Sequence, residues 1–119
     1  MKKTYRVKKN DEIGNILKGQ KKQGNKNYII YIKENSEAKH FRLAMSVSKK
    51  IGNAVIRNRG KRLIKQVFIE KKDEILSFDI FVIAKNNSIN LTYDEVKKEI
   101  CNLLKRLNVL KEEKQWKNT

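Results

Sequence analysis

Between His40 and Phe68 the spacing of apolar side chains changes from every second residue to every third or fourth. That switch demands a strand that runs into a helix. In His40–Ser48 (HFRLAMSVS), Phe41, Leu43, Met45 and Val47 point one way and Arg42, Ala44, Ser46 and Ser48 the other, so one face is core and the other open. From Asn53, at about 100° per residue, Ile56, Gly60, Leu63, Ile64, Val67 and Phe68 share one arc. Asn58, Arg59, Lys61, Arg62, Lys65 and Gln66 fill the opposite arc. Asn53 is the expected N-cap. Arg57 falls inside the apolar arc at the first turn, where it can leave the core and point across the open sheet face.

The flanking segments add elements of both kinds. Asn10 to Lys18 (NDEIGNILK) begins with a capping residue, has Asp11 and Glu12 in its first turn, spaces Ile13, Ile16 and Leu17 helically and stops at Gly19. Lys21 to Lys26 has loop chemistry, although its middle can pair briefly with a sheet. Asn27 to Lys33 (NYIIYIK) is β-branched and aromatic, hence a strand. The short polar stretch Glu34 to Lys39 predicts an antiparallel hairpin between this strand and the next. Phe78 to Ala84 (FDIFVIA) is apolar almost throughout and suits a buried strand. Thr92 to Leu107 spaces Val96, Ile100, Leu103, Leu104 and Leu107 as a helix behind a Thr92–Glu95 capping box. The fold class expected is an α+β or α/β sandwich: a small mixed sheet of about four strands packed with three helices. Length allows one core, so residues 1–119 form a single domain, with 1–9 and 111–119 as flexible tails from which Tyr5 or Trp116 can dock.

Charge narrows the function. The chain carries 29 Lys plus Arg against 13 Asp plus Glu, a formal +16, and such a protein repels itself unless polyanions surround it. No acid occurs from Lys39 to Ile69, whereas an ordinary solvated helix face mixes signs. Arginine, with its planar fork for phosphates and bases, is concentrated in that acid-free segment. Lys49 and Lys50 stand beside the free N–H groups that Asn53 leaves at the helix start, which makes a phosphate pocket. The small Ala44, Ser46 and Ser48 leave a groove bordered by Ile29 and Tyr31, with Ile13 and Leu17 as apolar wall, Tyr31 as stacking surface and Arg57 and Lys61 as phosphate rail. No apolar run approaches the roughly 20 residues of a membrane span, and the N-terminus lacks the apolar centre of a signal peptide. The expected compartment is the cytoplasm, with no membrane partner.

The run SVSKKIGNAVIRNRGKRLIKQVF closely resembles the signature of the bacterial ribonuclease P protein subunit. The resemblance extends through KKNDEI, YIIYI, FRLAMSVS, FDIFVIA and LTYDEVKKEI. It implies a left-handed crossover between the strand before the Arg-Asn-Arg helix and the strand after it. It also implies a ribonucleoprotein in which the RNA subunit performs the metal-dependent hydrolysis that removes the 5′ leader of precursor tRNA. Magnesium is then held mainly by RNA, with no cofactor bound by the protein alone, and the partners are the RNA subunit and precursor tRNA. Arg57, Asn58 and Arg59 match the family motif, followed by Lys61, Arg62 and Lys65; with Lys49, Lys50 and Asn53 they form the expected RNA-subunit contact. The leader cleft maps onto Ile13, Leu17, Tyr31, Ser46, Arg57 and Lys61. Relatives commonly carry aromatics where this chain has Ile13 and Leu17, so van der Waals contact replaces stacking on that wall.

The residue census predicts no catalytic machinery in the protein itself. Asp79 is read as isolated in an apolar strand, Asp94, Glu95 and Glu99 as helix-start acids, His40 as lacking an acid–base partner, and Cys101 as a small buried hydrophobe. A ribosomal-type structural RNA-binding protein or RNA chaperone shares the charge but does not distinguish a leader-bearing substrate from mature tRNA. A DNA-binding regulator using Asn53–Phe68 as recognition helix needs a preceding positioning helix, where this chain has a strand.

Overall fold

The computed structural model describes residues 5–7, 10–19 and 21–111. Three helices, α1 (Asn10–Lys18), α2 (Ala54–Glu70) and α3 (Tyr93–Arg106), pack on a sheet of β1 (Lys21–Gly24), β2 (Tyr28–Glu34), β3 (Arg42–Val47) and β4 (Phe78–Ala84). The strand order is β1-β2-β4-β3. Helices α2 and α3 cover one face through Ile64, Val67, Phe68, Val96, Ile100, Leu103 and Leu104, over Ile30, Ile32, Leu43, Ile80 and Val82. On the other face Ile16 of α1, with Val7, covers Ala44 and Phe81.

The expected β2–β3 hairpin does not form. β4 lies between the two strands, antiparallel to β2 from Tyr28↔Ala84 to Glu34↔Phe78 and parallel to β3 from Arg42↔Asp79 to Val47↔Ala84. β4 is the strand most apolar on both faces, and a central position covers both faces and pairs both edges. The polar connection after β2 passes the start of β4, where the Asn35 amide donates to the Ser77 carbonyl at 3.2 Å. β3, α2 and β4 thus make a parallel β-α-β unit.

Local chemistry sets the element ends as expected. The Asn53 side chain accepts from the Ile56 amide at 3.0 Å, and Thr92 and Glu95 form a reciprocal capping box at α3. β1 is a four-residue edge strand, the brief pairing allowed for that segment. Its turn into β2 is tied to α3, because Glu99 accepts from Asn25 and Asn27 at 3.1 and 2.6 Å. The N-terminal segment departs from a flexible tail over residues 5–7. Tyr5 stacks on His40 with ring centroids 3.8 Å apart, Arg6 bridges to Leu43, and the Val7 amide donates to the Leu43 carbonyl at 3.0 Å. At the other end Leu110 bridges to Ile75. The Lys111 amide donates to the Glu74 carbonyl at 2.6 Å, and residues 1–4, 8, 9 and 112–119, which include Trp116, lie outside the described residues.

Candidate nucleic-acid interface

The basic ridge is built by what α2 buries. Ile64, Val67 and Phe68 are fully enclosed, while Asn58, Arg59, Arg62 and Gln66 are exposed. Lys61 and Lys65 are half-buried. Lys49, Lys50 and Asn53 are exposed at the helix start. The turn Lys49–Ile51 is held by Ser48, whose hydroxyl accepts from the Lys50 amide at 3.1 Å, and by buried Ile51. Gly52 allows a close approach there: a Cβ would lie 3.0 Å from the Ile56 side chain, which would have to give way.

The ion pairs among the described residues leave this ridge uncompensated. They join Arg42 to Glu12 and Asp79, Lys71 to Glu74, and Lys97 to Glu70. None involves Lys49, Lys50, Arg57, Arg59, Lys61, Arg62 or Lys65. Glu70, the one acid of α2, is turned to Lys97 of α3 at 3.0 Å. Arg57 is half-buried, and its Nε is enclosed with no hydrogen-bond partner among the described residues. An enclosed donor without a partner is destabilising until an acceptor arrives.

On the opposite sheet face the strand register lays out the groove row by row. Ala44, Phe81, Tyr31 and Lys22 stand in one row, and Ser46, Ile83, Ile29 and Gly24 in the next. α1 covers the first row, with Ile16 fully buried, Ile13 half-buried against the Tyr31 side and Leu17 38% exposed at the rim. Ala44 is therefore buried, not part of an open floor, because Ile16 and Val7 fill the space above it. The second row stays open: Ser46 is exposed, and Ile83 and Ile29 are half-buried. Tyr31 is half-buried with the Lys22 ammonium 5.6 Å from its ring centre.

α2 lies on the other face, so Arg57 and Lys61 reach the groove only around an edge. At the boundary of the buried arc next to that flank is Phe68, whose ring lies 5.6 Å from that of Phe41, which in turn touches Tyr5 beside β3. Since β3 is the outer strand, this flank runs along the edge where Ser46 sits. The cleft set is thereby split between α1 and sheet (Ile13, Leu17, Tyr31, Ser46) and the edge-facing flank of α2 (Arg57, Lys61).

Three groups escaped the sequence reading. Ile83 belongs to the groove floor and Phe81 lies buried beside it under α1, because β4 occupies the place assigned to β3 beside β2; their signal was an apolar pattern on both strand faces. Asp79 is not isolated. Its carboxylate accepts two 2.9 Å bonds from Arg42 (Nε and Nη2) and one of 3.1 Å from Asn35, while Arg42 also pairs with Glu12 of α1. Hydrogen bonding, to Asp79 above all, holds Arg42 well above its usual pKa. Lys22, opposite Tyr31, lies in the segment whose chemistry predicts a loop with at most a brief pairing, which gives no sign of a cation beside the ring. Among the described residues no three His, Cys, Asp or Glu side chains are grouped to hold a metal, and burial pushes the Cys101 thiol up, away from the nucleophilic form. No helix among the described residues is long and apolar enough to cross a membrane.

A mixed four-stranded sheet with a helix whose wet face carries arginine and lysine, its one acid turned away to Lys97, marks a small basic protein of the nucleic-acid-binding class. The family model described as Ribonuclease P matches residues 1–108. The ribonuclease P protein component of Macrococcus caseolyticus is 47% identical over 105 residues, covering 88% of this chain and 91% of that one. The Staphylococcus aureus RNase P protein structure superposes with a TM-score of 0.83 at 40% identity over 88% of this chain and 96% of its own. The Thermotoga maritima RNase P protein gives 0.77 at 28% identity over 85% and 96%. The chain belongs to the ribonuclease P protein family.

Proposed function

We propose that this protein is the subunit that lets ribonuclease P RNA hold and trim precursor tRNA. The observation that carries the reading is the ridge of Lys49, Lys50, Arg57, Arg59, Lys61, Arg62 and Lys65, none paired with an acid among the described residues. Two folded polyanions repel one another, and a ridge of this kind lowers that repulsion by exchanging condensed counterions for fixed cations. The RNA subunit carries the hydrolysis and holds the magnesium ions it requires, and the complex acts on precursor tRNA in the cytoplasm.

In this reading the 5′ leader lies in the open row beside α1. Tyr31 offers a ring face, Ile13 and Leu17 an apolar wall, Ser46 a hydroxyl, and Arg57 and Lys61 meet the leader phosphates around the β3 edge. The enclosed Arg57 donor then acquires its acceptor. Reconstitution tests the whole: at a magnesium concentration where ribonuclease P RNA alone scarcely cleaves, adding the protein restores removal of the leader. Cleavage by the protein without RNA, or no stimulation of the RNA, rejects the reading. Tyr31→Ala is expected to weaken a precursor with a long leader by about tenfold, the lower part of the range for one lost base–aromatic stack, with mature tRNA unaffected. Equal loss for both substrates places the leader elsewhere.

A further inference from the structure

α1 is a nine-residue helix, too short to be stable alone, so its contacts with the sheet set its position. Its apolar anchorage is narrow: Ile16 is fully buried, Ile13 half-buried and Leu17 exposed. On the side away from the open Ser46–Ile83–Ile29 row, the next sheet row holds Arg42, Asp79 and Lys33. There the helix rests on polar groups. Arg42 is seated on Asp79 by two 2.9 Å bonds, Asp79 is braced by Asn35 at 3.1 Å, and the outer guanidinium nitrogen Nη2 also donates to Glu12. Around this column lies a hollow of about 230 Å³ lined by Glu12, Asn15, Lys33, Glu34, Asn35, Arg42 and Asp79.

The hollow matters because a close-packed interface keeps its own spacing, whereas a hollow one needs a spacer. Without the column α1 can tilt about Ile16 toward this polar, solvent-open side, and its Leu17 edge then shifts over the open row. We propose that the Glu12–Arg42–Asp79 column fixes the height of α1 over the sheet and so the width of the cleft. Glu12 and Arg42 are thus positioning residues for the single strand bound there. This rests on reading the cleft as the leader site. Glu12 acts through Arg42 and α1, without touching the RNA.

The test uses the protein assembled with ribonuclease P RNA and compares two precursors, one with a leader long enough to enter the cleft and one with its leader cut short of it. Glu12→Ala removes only the upper arm and keeps the pair of half-buried Arg42 with buried Asp79, so the fold persists. Affinity for the long-leader precursor is expected to fall about fivefold, the worth of one partly exposed charge-assisted bond, with short-leader affinity unchanged. Glu12→Gln retains an acceptor oxygen at the same reach and is expected to stay within about twofold of the parent. Unchanged affinity, equal loss for both precursors, tighter binding through relief of charge repulsion, or failure of glutamine to rescue each overturns the proposal. Tyr31→Ala run in parallel separates the two ideas. If it alone is leader-selective, the cleft stands and the column falls; if neither variant is, both fall.

Discussion

Raising monovalent salt from about 50 to 200 mM is expected to weaken binding of the protein to ribonuclease P RNA by about a thousandfold, the loss typical of six or so phosphate contacts. The size follows from the ridge. Lys49, Lys50, Arg59 and the neighbouring cations meet no acid among the described residues, so each phosphate contact releases counterions that added salt drives back. Arg59→Ala and Arg62→Ala each remove one exposed cation from the wet side of α2, so they are expected to lower affinity uniformly and flatten the log–log salt slope by about 1 while the fold is kept. Filter binding across a salt series, with circular dichroism on each variant, reads both quantities. A flat salt response, or two arginine variants indistinguishable from the parent, contradicts the role assigned to the ridge.

Phe68→Ala is expected to lower folding stability by about 3–5 kcal/mol. The ring is fully buried, tilts against Phe41 at 5.6 Å, and sits on the inner face of the helix whose outer face is the ridge. Such a loss is a large share of the roughly 5–15 kcal/mol that holds a domain together. The charge pattern of α2 is untouched, so RNA or a polyvalent anion that binds only the folded form recovers part of the stability by mass action. Urea denaturation with and without sulfate measures both. A loss below about 1 kcal/mol means that α2 is held by something other than its apolar face. A variant whose stability sulfate does not raise means that the ridge does not bind anions in the folded state.

The parts of the fold read correctly from the chain are those whose signal lies within a few residues. Alternation in HFRLAMSVS assigned Leu43, Met45 and Val47 to the main core and left Ser46 open. Asn53 and Thr92 cap as their side chains predict, because a capping bond spans only three residues. The hairpin between β2 and β3 was misread for the same reason. Period shows which side chains share a face but not which strand lies alongside, and β4, some thirty residues further on, offered both neighbours more buried area. Ala44 followed suit, read as open because Val7 and Ile16, which cover it, are distant in sequence.

The site divides along the same line. The acid-free run from Lys39 to Ile69, its helical period and the Arg57-Asn58-Arg59 motif were enough to place Arg59, Arg62 and their neighbouring cations on the wet side of one helix and to reach the family, since charge and period are local properties of the chain. The cleft is a property of long-range pairing. Arg42 and Asp79 lie 37 residues apart and meet only in the parallel β3–β4 register, and Glu12 joins them only once α1 has docked. A carboxylate in an apolar strand carries no mark of its partner, because the guanidinium that neutralises it is chosen by strand order, and strand order is settled by which arrangement buries the most apolar surface at once.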